Sequence, residues 1–218
     1  MSHSLTSQGT CRLSERDMAM LQAASLAWRG MTSRQCAEHW FHGDLSNARR
    51  RLRNLVTSGF LSRLTIQARA LPPLLGPSAQ WCPNAPLPGF EAVSYQLRKR
   101  WAQRAVRDCT AYIATAAAAE MFGGKAGQFK NEAQATHDLG VTQVWMHFDK
   151  HQPALAHAWR GEDVMASTRV GQKLPDAFVI DPSDEVKIVI EFGGAYNAQR
   201  LRDFHRDCEQ RNLPYQIW

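Results

Sequence analysis

Pro175–Gly194, PDAFVIDPSDEVKIVIEFGG, decides how the chain is read. Two apolar runs, at 177–180 and 186–192, flank a turn rich in Asp, Pro and Ser, so the spacing predicts two adjacent strands. Asp176 stands just before the first and Glu191 near the end of the second. Carboxylates on neighbouring strands supply the hard oxygen ligands that a cation such as Mg²⁺ requires. A cation held there would lower the pKa of a bound water and steady charge on a phosphate.

Working outward, helical spacing at 131–148 and a short strand near 156–160 precede this pair. An amphipathic helix at 198–211 and a last strand at 214–218 follow it. An α–β–β–α–β order with these two carboxylates resembles the PD-(D/E)XK nuclease fold. That resemblance implies a lysine two residues after the glutamate, to orient the attacking water. The order here is Glu191-Phe192-Gly193, so the lysine position is empty. Lys187 shares a strand face with Glu191 by period-two alternation and is the candidate substitute. Arg200 and Arg202 on the next helix are further cations. Glu132 and Asp138 are candidate extra acids, because nucleases of this fold often supply one from the preceding helix. His137-Asp138 could form an acid/base pair; His147, Asp149 and His151 are more simply solvated helix-end residues.

The front of the chain reads differently. Ser14 with Glu15 and Asp17, and then Thr32, are helix N-caps, and Asp44 or Ser46 opens a third helix. In Gly43–Arg53, GDLSNARRRLR, the leucines repeat every three or four residues and the arginines fall elsewhere. Three short helices followed by a strand at 60–66 predict a winged helix-turn-helix. Arg49, Arg50, Arg51 and Arg53, with Arg63 on the following strand, are the expected DNA contacts, because guanidinium groups reach phosphates and guanine edges in the major groove.

Charge follows the same division. Residues 1–110 carry 15 Lys/Arg against 6 Asp/Glu, and residues 111–218 carry 11 against 14. A basic front half fits a polyanion-binding module. Six prolines between 71 and 90 predict a linker. Residues 94–122, basic and then alanine-rich, are expected to form one long helix. Five scattered cysteines without a CxxC pair fit reduced thiols in the cytoplasm and no structural zinc site. No apolar run approaches the ~20 residues that span a bilayer, and the N-terminus has no apolar signal region.

Thr136-His137-Asp138-Leu139, Trp159, Glu162, Pro175-Asp176 and Glu191 together resemble the replication-relaxation family of mobile genetic elements. The resemblance implies a winged helix fused to a PD-(D/E)XK-like domain and a role in plasmid or integrative-element DNA processing, often as an accessory factor. The expected organisation is an α+β or α/β chain: 1–70 winged helix-turn-helix, 71–93 Pro-rich linker, 94–218 nuclease-like domain. The expected activity is DNA binding with a degenerate nuclease site, and the partners are double-stranded DNA, other DNA-processing proteins and no membrane. One alternative is a Mg²⁺-dependent endonuclease using Asp176 and Glu191 as ligands with Lys187. Another is a transcriptional regulator with a C-terminal ligand or dimerisation domain. No cofactor is expected unless the nuclease-like site is active, in which case it is Mg²⁺.

Overall fold

The computed structural model describes residues 12–102, 104–129, 132–166 and 174–218 of the chain. The fold is mixed α and β, built on two sheets. Helix α1 (Glu15–Leu26) starts at Ser14, whose hydroxyl and the Asp17 carboxylate close a reciprocal capping box. Strand β1 (Met31–Thr32) leads into α2 (Ser33–Trp40), where Thr32 and Gln35 repeat the same device. Four residues later Asp44 caps α3 (Leu45–Thr57), and β2 (Leu61–Arg69) follows. Each cap needs only a side-chain oxygen three residues from an unpaired N–H, so these starts are local in origin.

The chain then leaves the first sheet. Strand β3 (Ala79–Trp81) and helix α4 (Phe90–Trp101) belong to the second sheet and its cover, after which β4 (Val106–Ala114) returns to pair with β2 along its whole length. The first sheet has the order β1-β4-β2, antiparallel throughout. Its pairing therefore crosses the boundary expected at residue 70. The single helix expected over 94–122 is corrected to the end of α4, then β4, then α5 (Ala116–Phe122). Val106, Thr110, Tyr112 and Ile113 suit a strand, and β2 supplies its partner along the whole length. The proline-rich stretch likewise carries β3, hydrogen-bonded to the C-terminal strand.

Helix α6 (Glu132–His151) and the short α7 (Pro153–His157) precede the second sheet. Its remaining elements are β5 (Trp159–Gly161), α8 (Glu162–Met165), β6 (Ala177–Ile180), β7 (Val186–Glu191), α9 (Ala198–Gln210) and β8 (Tyr215–Ile217). The strand order is β3-β8-β7-β6-β5. Strands β5, β6 and β7 run antiparallel, and β8 is parallel to β7. One face packs Phe178, Val189, Tyr215 and Ile217 against Leu97 of α4 and Leu201 and Phe204 of α9. The other sends Ala177, Val179 and Ile190 into a core shared with α6 and the N-terminal helices.

That shared core joins the two parts. Trp159 donates its indole N–H to the Ala27 carbonyl at 3.0 Å, Gln35 donates to the Leu139 carbonyl at 2.8 Å, and Thr142 donates to the Gly30 carbonyl at 2.6 Å. Buried polar groups matched across elements fix register as well as contributing stability. Among the described residues no helix is long and apolar enough to cross a membrane. Cys36, Cys82 and Cys109 are free thiols; Cys11 lies outside the described residues.

Candidate functional site

Pairing of β6 with β7 sets Ala177 opposite Ile190, so the next step outward brings Asp176 beside Glu191. The Phe192 N–H donates to Asp176 Oδ2 at 2.6 Å, and His137 Nε2 on α6 lies 3.2 Å from the same oxygen. Glu191 is buried, and Tyr196 donates its hydroxyl to Glu191 Oε1 at 2.6 Å. Arg200 of α9 in turn donates to the Tyr196 oxygen at 2.8 Å and lies 3.8 Å over its ring. The sequence thus placed Asp176 and Glu191 together correctly. It held no sign of Tyr196, which no periodicity distinguishes from a loop tyrosine.

A second cluster abuts the first. Arg29, in the turn after α1, donates Nη1 to Asp138 Oδ1 at 2.9 Å, Nη2 to Glu162 Oε2 at 2.6 Å, and Nε to Asp163 Oδ2 at 2.7 Å. Burial alone would lower the Arg29 pKa, but Asp163, Glu162 and Asp138 outweigh it and hold the group above its usual range. Asp138 is 2% exposed, and its Oδ2 has no hydrogen-bond partner among the described residues. Of the two acids expected from α6, Asp138 therefore reaches the site. Glu132 opens the helix, with its side chain outside the described residues.

Proton affinities in the site are coupled to this geometry. Burial, with the Asp176 charge beside it, pushes the Glu191 carboxyl up from 4.5 to about 8. Burial would lower His137, but Asp176 and Asp138 raise it from 6.5 to about 10. Both groups hold a proton more tightly than they would in water, with the His137 ring facing Asp176. Each group binds its proton more tightly folded than unfolded, so stability falls as pH rises. Glu191 acts between 4.5 and about 8 and His137 between 6.5 and about 10. The thermal midpoint is expected to drop from mildly acidic to alkaline buffer, and Glu191→Gln should flatten the lower part of that slope. Melting curves across pH check this, and a midpoint that climbs through the same window refutes it.

The lysine question has a steric answer. A Cβ on Gly193 would lie 2.7 Å from Leu97 Cδ1 and 2.8 Å from Ile217 Cγ2, both in the packed layer between α4 and β8. Lys187 is turned to the other end of β7, with its ammonium 2.9 Å from both Asp181 and Glu185 and half its side chain exposed. Four residues of strand separate it from Glu191, about 13 Å at the usual rise. The structure therefore does not bring Lys187 to the carboxylate pair. Arg202 is held by Glu91. Only Arg200 of the cations considered approaches Glu191, through Tyr196.

Phe192, between Glu191 and Gly193, is buried against α6, where a Cβ on Gly140 would meet its ring at 2.2 Å. Mg²⁺ demands near-ideal octahedral oxygen coordination. Asp176 and Glu191 are the residues that would hold a Mg²⁺, with water and substrate phosphate completing its shell; here Asp176 Oδ2 accepts from the Phe192 N–H beside His137, and Glu191 Oε1 accepts from Tyr196. No group of three or more potential metal-ligand side chains assembles among the described residues. Gly193→Lys is expected to lower stability by at least the ~1–3 kcal/mol of an overpacked core. It should confer no Mg²⁺-dependent nicking of supercoiled plasmid. Nicking gained by that variant, and lost again with Asp176→Ala, would contradict this account.

The arginines of α3 divide by contact. Arg49, Arg50 and Arg53 are exposed, as is Arg63 on β2, while Ala48, Leu52 and Leu55 face the core. Arg50 donates to Asn47 at 2.7 Å. Arg51 is turned inward instead, donating Nε and Nη2 to the two oxygens of buried Asp17 at 2.9 and 2.6 Å. It ties α3 to α1.

Residues 26–201 of the chain match the replication-relaxation family. No curated protein and no solved structure matches it.

Proposed function

Because the chain belongs to the replication-relaxation family, we propose that it is a DNA-binding accessory protein of mobile-element DNA processing, with a winged helix-turn-helix for grip and a nuclease-like half that serves as scaffold. The observation that carries this is the outward face of α3, where Arg49, Arg50 and Arg53 stand clear of the core on the helix that follows α2 after a four-residue turn. Such a helix can enter a major groove with its guanidinium groups foremost. Support for the wing comes from the strand order β1-β4-β2 behind three helices, and from exposed Arg63 on β2.

Support for the nuclease-like half comes from α6 followed by three antiparallel strands, α9 and a strand parallel to the third. The scaffold role is favoured over cleavage by three features of the carboxylate pair. One oxygen of each carboxylate is engaged internally, a side chain at position 193 would meet Leu97 and Ile217, and Lys187 is engaged elsewhere. Titration of a labelled duplex by the full chain across salt concentrations tests the function. Affinity should fall linearly with the logarithm of salt, as counterion release requires. A duplex affinity that is absent, or indifferent to salt, would remove the proposal.

A further inference from the structure

Between α2, the far ends of β2 and β4, and α6 runs an open groove of about 890 Å³. No residue of α3 lines it, so it is a surface separate from the arginine face already described. Four elements each bring a cation to it: Arg34 from α2, Arg69 from β2, Arg107 from β4 and Lys150 from α6, with Arg69 donating to the Arg104 carbonyl. Arg34, Arg107 and Lys150 are exposed, and none forms an ion pair with any described residue. Two acids, Glu38 and Asp108, also line the groove, leaving it net positive. The apolar part of its wall comes from Leu71, Leu74 and Met146.

His147 and His151 add flat rings, with centroids 4.5 Å apart, one turn from each other on α6. Burial first, and then His151 and Lys150 beside it, hold His147 below the usual imidazole value. Cations spaced along a groove suit a phosphodiester chain, and rings beside apolar side chains suit unpaired bases. A duplex keeps its bases stacked inside and would offer such a cleft no free base faces.

We propose that this groove binds a single strand of nucleic acid, with phosphates against Arg34, Arg107 and Lys150 and bases against Leu71, Met146 and the paired imidazoles. The strand is recognised by charge and stacking rather than by sequence. A protein with both surfaces can hold a duplex on α3 and an unpaired strand beside it.

The test uses the full chain, a labelled oligothymidylate and, separately, a labelled hairpin duplex, read by fluorescence anisotropy. Joint Arg34→Glu, Arg107→Glu and Lys150→Glu replacement should weaken oligothymidylate binding by about tenfold or more and flatten its salt dependence. Duplex affinity should stay within about twofold, since the α3 contacts persist. Joint Arg49→Ala, Arg50→Ala and Arg53→Ala replacement should give the converse, which separates failure of this site from failure of the α3 surface. A melting curve checks each variant, and the corresponding glutamine replacements take over if charge reversal prevents folding. Absence of oligothymidylate binding by the native chain, or binding unchanged in the groove variant, overturns the proposal. So does loss of single-strand and duplex binding together in the α3 variant, or preferential binding of polyglutamate, which would mark an acidic-peptide groove.

Discussion

Joint replacement of Arg49, Arg50 and Arg53 by alanine is expected to weaken duplex binding on the order of hundredfold, from about 1 kcal/mol or more for each guanidinium lost at a base edge or phosphate. The salt dependence should flatten as well, by a slope change of roughly one for each phosphate contact removed. Stability should hardly move, because all three side chains are exposed on α3 and none supports the core. Arg51→Ala supplies the contrast. It removes both hydrogen bonds to Asp17, which has no exposed surface, and so should lower the thermal midpoint with little change in salt slope. Equal effects of the two variants on DNA affinity would mean that α3 does not face the duplex.

Arg29→Met is expected to be the most destabilising single replacement, by about 3–5 kcal/mol, because removal of one partner strands buried charge. The cost lives mainly on Asp138. Glu162 and Asp163 are 25% and 38% exposed and can turn to water, whereas Asp138 is 2% exposed and already has one oxygen without a partner among the described residues. Adding Asp138→Asn should recover much of the loss, and the four chains together form a double-mutant cycle. A coupling near zero would show that Arg29 is held by packing alone. His137 should report the same event. Its ring lies 3.6 Å from Asp138 and 3.2 Å from Asp176, so its proton affinity shifts when Arg29 leaves.

What the residues disclose by themselves tracks how local each determinant is. The Ser14, Thr32 and Asp44 caps are legible because donor and acceptor lie three residues apart. Asp176 and Glu191 are legible as neighbours because a short turn joins their strands. Strand β4 is not, since Arg107–Ala114 is compatible with a helix until β2 is placed beside it, a pairing between Leu61 and Ala114 at its furthest. Arg29 is less legible still: its partner Asp138 lies 109 residues away, and a lone arginine between tryptophan and glycine carries no period or spacing. Gly193 shows the limit most plainly. The missing lysine is visible in sequence, but the methyl groups of Leu97 and Ile217 that close the position come from α4 and β8, far apart in the chain.

The detour between β2 and β4 has a consequence for how the protein is made. When Arg69 leaves the ribosome its strand has no mate until Val106–Ala114 is synthesised, while Ala79–Trp81 must wait for Tyr215–Ile217. Domains ordinarily fold as units in the order of their synthesis. Here the opening third cannot finish alone, and the closing residues complete a sheet begun before the middle of the chain. The nascent protein carries open strand edges until Tyr215–Ile217 is made, and a chain cut short of these residues lacks the strand that joins β3 to β7.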